Sequence, residues 1–241
     1  MHELQQKYRH EIQELADVSS KLGRLGYVAS HGGNLSAKLD GGTILITPTK
    51  VPKEEMTFED IIIVDADGKT LFAADARKPT GETPMHTHIY RLRPDLKSLI
   101  HAHPPVLTGF SLTDSRILAR PILPEPVLEL GPILSIPYAE VVSMDLAREF
   151  ESVVPFSNAW LMKNHGITIG SADTPRRTLG LLQMAEATAD SIRTAMIITG
   201  KVNEISRDEV MKLERVLRKR GLPFPGDPDV VKSLIPSFFG E

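Results

Sequence analysis

The sequence predicts an α/β protein whose sheet is mixed or largely antiparallel and covered by helices. Three observations predict it. Amphipathic helical patterns stand at both ends of the chain. Short apolar runs bounded by glycine and proline lie between them. These runs do not alternate regularly with helical patterns, as repeated βαβ units would. No internal boundary is visible, so residues 1–241 are expected to form one domain, with 201–241 as its C-terminal helix and tail.

Leu4, Tyr8, Ile12, Leu15, Val18, Leu22 and Leu25 recur every three or four residues, one helical face that ends near Gly26. GGTILITPT and DIIIVDADGKTLF read as strands, the second folding back at Asp67-Gly68. Thr83-Pro84 reads as an N-cap and first-turn proline opening a helix to about Arg93. A strand then ends at His101-Ala102-His103, stopped by Pro104-Pro105. The proline-rich stretch 119–137 reads as loop with short strands. Ser143 is expected to cap a helix to about Val153, and AWLMKNHGITIG is expected to be a strand. Thr174-Pro175 starts a long helix that closes at Gly200. Ser206 to Glu209 has capping-box spacing, and Gly221 fits the stop of that last helix. The tail carries Phe238 and Phe239 and is expected to dock on a neighbour.

The 241 residues carry a formal net charge of −3, with pI ≈ 6.3. That balance argues against nucleic acid as a partner, which calls for a basic face. No apolar stretch reaches the roughly 18 residues of a membrane span, and the polar, amphipathic N-terminus does not read as a signal peptide. The chain has no cysteine, so any metal must be held by nitrogen and oxygen. A cytoplasmic location is expected.

The chemistry-bearing residues fall into three groups. His101 and His103 are two apart at the end of an apolar run and share one face if that run is a strand. His165 marks the break in a second apolar run. Each histidine alone fits a packed or surface role equally well. Together they supply three imidazoles with one open position, the donor set of a catalytic zinc. His86 and His88 differ: two apart on a helix, they are rotated by about 200° and do not share a face, whereas His86 and Tyr90 do. His31 lies in a glycine turn, and His2 and His10 lie on the first helix with no evident partner. The second group is a set of small polar turns: Ser30 to Ser36 with Asn34, then Thr47-Pro48-Thr49-Lys50, then Thr80-Gly81. Each is an ordinary turn on its own; together they can converge on an anion such as phosphate. The third is Glu82, which fits a helix N-terminal acid or a proton shuttle beside a metal.

GGNLS at 32–36, ITPTK at 46–50, PTGETPMH at 79–86, RPDLKSLIHAHPP at 93–105 and NHG at 164–166 together resemble the class II aldolase/adducin family. Order and spacing fit from about residue 5 to about residue 200. The resemblance implies a three-layer helix–sheet–helix fold with a central, mostly antiparallel sheet, and a homotetramer with sites at subunit interfaces. It implies zinc, one per subunit, on His101, His103 and His165, and Glu82 as catalytic acid/base. It places Asn34, Thr49, Lys50, Thr80 and Gly81 where substrate phosphate is held. The implied activity is that of a lyase in carbohydrate metabolism. A ketose 1-phosphate of the fuculose or ribulose type is cleaved through a metal-bound enediolate to dihydroxyacetone phosphate and a short aldehyde.

Departures from the family pattern leave alternatives open. The aldolases carry a tyrosine near 122–125 and another in the tail, whereas this chain has only Tyr8, Tyr27, Tyr90 and Tyr138. Glu125 is the polar candidate for the missing proton donor. Lys50 stands where the aldolases commonly have glycine, and Asn164 where they often have a second histidine. A dehydratase, epimerase or decarboxylase of sugar phosphates would share the metal chemistry, though the epimerases use aspartate in place of Glu82. From another class, a non-catalytic scaffold like the adducin heads would lack the histidines and the glutamate.

Overall fold

The computed structural model describes residues 2–240; positions 1 and 241, the ends of the expected domain, lie outside the described residues. Two helices open the chain, α1 (Glu3–Lys7) and α2 (Arg9–Arg24). The expected single helix is interrupted at Tyr8, whose φ of −110° and ψ of 31° leave the helical basin. The apolar spacing runs through the break because it reports which side chains are buried, not which backbone bonds form.

Next come β1 (Asn34–Lys38), β2 (Ile44–Ile46), β3 (Ile62–Val64), β4 (Thr70–Phe72), α3 (Thr83–Leu92), β5 (Ser98–Ala102) and α4 (Pro105–Ser111). They are followed by α5 (Pro124–Glu129), β6 (Leu134–Ile136), α6 (Met144–Glu149), β7 (Ala159–Met162), β8 (Gly166–Ser171), α7 (Pro175–Thr199), α8 (Arg207–Arg220) and α9 (Leu234–Phe239). Among the described residues the strands form one eight-stranded sheet in the order β4-β3-β2-β1-β5-β8-β7-β6. Every pair is antiparallel except β6 with β7 at one edge.

Helices cover both faces of the sheet, the three-layer arrangement expected. On one face Leu35, Leu45, Ile63, Ile100, Leu161 and Ile169 pack with residues of α2 and α7. On the other, Ile46, Val64, Leu99, Trp160 and Met162 pack with Met85 and Ile89 of α3 and Leu146 of α6. Neighbouring residues on a strand therefore enter opposite cores, which is why these strands read as unbroken apolar runs.

Several segments differ from their sequence reading. AWLMKNHGITIG is not one strand but the hairpin β7–β8, with Lys163-Asn164-His165 as its turn and Asn164 at φ 55°. Asparagine tolerates that left-handed backbone, so the turn forms without a glycine at its centre. The 119–137 stretch contains α5, whose prolines Pro124 and Pro126 sit in the first turn, where their missing N–H groups cost nothing. Thr83 is the first helical residue of α3, and Glu82 holds the N-cap position. In the C-terminal segment α9, with Phe238 and Phe239, packs on α5 and α8 of its own chain around Val127, Val210, Leu217 and Leu234. No helix among the described residues is long and apolar enough to cross a membrane.

Arg93 closes the fold around its C-terminal half. Its guanidinium is 1% exposed. It pairs with Asp95 at 2.8 Å and donates to the carbonyls of Val154 (2.9 Å), Ser157 (3.2 Å) and Gly226 (2.8 Å). Removing one partner of a buried, hydrogen-bonded charge leaves the remainder unsatisfied, at a cost of about 3 kcal/mol or more. Arg93→Met is expected to lower the urea midpoint accordingly; an unchanged midpoint would show that these carbonyls find other partners.

Candidate metal centre

Alternation along β5 and β1 decides which residues meet. Leu35 and Ile100 enter the α2/α7 core, so Asn34, Ser36 and His101 face the α3 side. Asn34 lies directly across the β1–β5 pair from His101. His103 follows β5 at once, its N–H bonded to the Tyr27 carbonyl at 2.8 Å. Beyond it the first amides of α4, Val106 and Leu107, are capped by the Glu186 carboxylate of α7 at 2.8 and 2.9 Å. His165 is held in the β7–β8 turn by its N–H to the Met162 carbonyl, 3.1 Å.

Two glycines allow these approaches. A Cβ on Gly33, whose φ is 65°, would meet the His101 carbonyl oxygen at 2.8 Å. One on Gly166 would meet the Ala102 carbonyl oxygen and the His103 ring, both at 2.5 Å. Neither position has room for a side chain.

The three rings come together. One nitrogen from each of His101, His103 and His165 lies within 4.8 Å of the others, and Nε2 of His101 is 3.1 Å from Nε2 of His103. His101 directs Nδ1 at the Ile167 carbonyl, 3.1 Å away, so Nδ1 carries the proton and Nε2 offers its lone pair to the cluster. Burial, reinforced by the neighbouring imidazoles, holds His101 well below its usual value. Burial, then His165, lowers His103, and burial lowers His165. Neutral imidazoles converging on one point are the form that binds a divalent cation, so the donor set fits the zinc expected.

Glu82 is buried at the edge of this cluster. Its Oε2 is 3.5 Å from His101 Nε2 and its Oε1 is 3.8 Å from His165 Nε2. The carboxylate makes no capping bond to α3; instead Oε2 accepts from Asn34 Nδ2 at 2.6 Å. Glu82 thus stands at the helix N-terminus without serving as a hydrogen-bonding cap.

Backbone bonds link the three polar turns. Thr47 exchanges backbone bonds with Leu35 (3.0 Å) and Thr80 (3.1 Å), and the Thr49 N–H reaches the Lys78 carbonyl at 3.0 Å. Thr49 and Lys50 are exposed, Gly81 is half-buried and Thr80 is buried. Asn34 is only 4% exposed, with both ends of its amide engaged, one by Glu82 and one by His86. Lys50 has φ 61°, a left-handed backbone that a glycine would adopt without strain.

Glu125 stands exposed on α5, which packs against α7 and α8. The structure does not bring it to the histidines within one chain. His88 binds Glu151 at 2.9 Å, His31 and His10 are exposed, and His2 caps α1.

Two contributors escaped the sequence reading. Lys53 is buried beneath the glycine turn, donating to the carbonyls of His31 (3.3 Å) and Val51 (3.2 Å), and burial lowers it to about 8. Its only signal was a lysine inside VPKEEM, which looks like surface. Ser36 binds Nδ1 of His86 at 2.7 Å across 50 positions of sequence, a pairing that no local pattern encodes.

A family model described as the Class II Aldolase and Adducin N-terminal domain matches residues 13–192. The 3-oxo-tetronate 4-phosphate decarboxylase of Haemophilus influenzae is 29% identical over 196 residues, 78% of this chain and 89% of its own. The L-fuculose phosphate aldolase of Methanococcus maripaludis is 33% identical over 145 residues, 60% of this chain and 76% of its own. Among solved structures, YgbL of Klebsiella pneumoniae superposes with a TM-score of 0.78 at 26% identity, covering 85% of this chain and 98% of that one.

Burial lowers His86 from 6.5 to about 4 and shifts the three clustered imidazoles in the same direction. A histidine depressed in the folded state is protonated first in the unfolded chain. Its contribution is therefore full above about pH 6.5 and is lost as pH falls toward about 4. Urea titrations of the metal-free protein across that window should show a midpoint that drops steadily with acid; a level midpoint would contradict the burial of neutral rings.

Proposed function

The chain belongs to the class II aldolase and adducin family, and we propose from that premise that it is a metal-dependent lyase. Its substrate is a phosphorylated sugar, broken at a carbon–carbon bond next to a carbonyl. The observation that carries this reading is the meeting of His101, His103 and His165 beside Glu82. A scaffold would have no use for three neutral imidazoles, one fully buried and two half-buried, meeting a carboxylate at one point.

The three histidines would hold the cation: zinc by donor type and number, with manganese, iron or cobalt compatible with the same nitrogens. When bound, it supplies Lewis-acid withdrawal of electrons from the substrate carbonyl. Glu82 handles the proton. As the carbon–carbon bond breaks, its electron pair remains on the carbon beside the carbonyl, and Glu82 delivers a proton to that carbon; in the reverse direction it removes one. Asn34 Nδ2 has a second N–H beyond the one given to Glu82, and that donor is available to an anion. With Thr49, Lys50, Thr80 and Gly81 it would hold the phosphate, the lysine supplying the positive charge. Tyr138, Val141, Val142 and Met144 are exposed apolar side chains of one short segment, and Val142 stands against Gly81. That exposed apolar segment beside the site supports a homotetramer in which another copy covers it; a cytoplasmic location is proposed with it.

The leading reaction is aldol cleavage of a ketose 1-phosphate to dihydroxyacetone phosphate and a short aldehyde. A second reading, decarboxylation of a 3-oxo sugar acid phosphate, is supported by the Haemophilus relative and by one feature of this chain. Aldol cleavage needs a base for the hydroxyl proton of the departing aldehyde. No tyrosine stands in 119–137, which leaves Glu125, exposed on α5, as the only candidate named for that base. Carbon dioxide leaves without that proton transfer. Loss of carbon dioxide from a 3-oxo-tetronate 4-phosphate gives the same three-carbon phosphate, so the role of Glu82 is common to both. Assaying fuculose 1-phosphate, ribulose 1-phosphate and 3-oxo-tetronate 4-phosphate side by side separates the two, and turnover of none would overturn the lyase.

His103→Ala should emerge from metal-replete expression with its circular dichroism intact and its bound metal gone; full metal content would remove His103 from the ligand set. Glu82→Gln should keep the metal while solvent-deuterium exchange into dihydroxyacetone phosphate slows by about 100- to 10,000-fold. Undiminished exchange would assign the proton to another group.

A further inference from the structure

A chain of hydrogen bonds runs from Glu82 away from the metal centre into the core beneath α3. Asn34 Nδ2 reaches Glu82 Oε2 at 2.6 Å, and Asn34 Oδ1 lies 2.5 Å from His86 Nε2. Nδ1 of the same ring is 2.7 Å from Ser36 Oγ, which is 2.9 Å from the Tyr90 hydroxyl. Glu82 is 7% exposed and His86 0%, and Asn34, Ser36 and Tyr90 are equally enclosed. Buried this deeply, the groups must satisfy one another.

We propose that His86 is a positioning residue for Glu82, acting through Asn34 at the end of a relay whose every donor points toward the carboxylate. The direction follows from the chemistry of the end group. An ionised carboxylate only accepts, so Asn34 must turn its NH2 to Glu82 and its carbonyl oxygen to His86. His86 Nε2 must then carry the hydrogen. A neutral imidazole has one N–H, so Nδ1 is an acceptor and the Ser36 hydroxyl donates to it. Ser36 Oγ in turn accepts from Tyr90, whose one hydrogen is shared with the Ser36 carbonyl at 3.2 Å. The burial that keeps His86 neutral agrees with this assignment.

The consequence is mechanical. Reversing Asn34 would set its carbonyl oxygen against a carboxylate oxygen, and His86 blocks the reversal because its Nε2–H needs that carbonyl. Oε2 is thereby fixed, and among the hydrogen bonds of the described residues Oε1 takes none, which leaves it for the substrate. Sequence periodicity already put His86 and Tyr90 on one face of α3; β1 meets that face with Ser36.

This inference rests on the reading of Glu82 as the proton-transfer group, and the test separates the two. In the metal-free protein, nitrogen-15 spectra of labelled histidine, assigned by comparison with His86→Gln, should show His86 as the neutral Nε2–H tautomer. An Nδ1–H tautomer would reverse the relay and overturn the proposal, whatever reaction the protein performs. In the loaded enzyme, His86→Met should lower kcat by about 100-fold, the cost of a misplaced group, with KM and metal content little changed. His86→Gln, which keeps a donor at the same reach, should recover most of that loss. If Glu82→Gln abolishes proton exchange while His86→Met leaves kcat intact, the relay fails and the role of Glu82 stands. If Glu82→Gln exchanges normally, positioning has no catalytic object and both readings fall.

Discussion

A carboxylate, an amide and several imidazoles lie on one face of a sheet that is covered by helices on both sides. Water is excluded from most of this cluster, so its polar atoms must be matched inside the protein. That requirement governs the local sequence: Asn34 and Ser36 of β1 and His101 of β5 occupy the face on which β5 also carries Leu99 and other strands carry Ile46 and Trp160. An apolar replacement at one of them would leave its partner stranded, at roughly 1–3 kcal/mol for each neutral group. The cost of satisfying a dry polar site and the precision needed for chemistry thus select the same arrangement.

The arrangement divides the work. Backbone geometry places the ligand candidates: the end of β5, the residue after it, and the turn between β7 and β8. Side-chain bonds orient Glu82, whose carboxylate makes no capping bond to α3 and is held by Asn34 instead. The polar turns are joined to the same strands by the backbone bonds of Thr47, so they are referred to the frame that carries Asn34 and His101. Members of one family can then differ in which bond breaks while keeping that frame. Aldolase and decarboxylase names both occur among the relatives of this chain.

The histidine pattern and the two-sided sheet were legible because period-two alternation and apolar runs are local signals. The sharp signals at Thr174-Pro175, Gly200, Ser206 and Gly221 marked α7 and α8 correctly for the same reason. β1 was hidden because half of its residues serve the polar cluster and give it no strand signature. The β7–β8 turn was hidden because both strands are buried on both faces, and its three polar residues interrupt the pattern too briefly. Ser36 with His86 and Lys53 with the glycine turn were beyond reach, since such contacts exist only once the sheet has assembled.

The β1–β5 register has a consequence for how errors in folding would appear. A slip by one position would exchange the two faces of β1, turning Leu35 toward His101 and driving Asn34 and Ser36 into the layer of Leu15 and Leu182. Each unmatched amide or hydroxyl in that layer would cost roughly 1–3 kcal/mol, so the native register is favoured by the same polar groups that build the cluster beside the histidines.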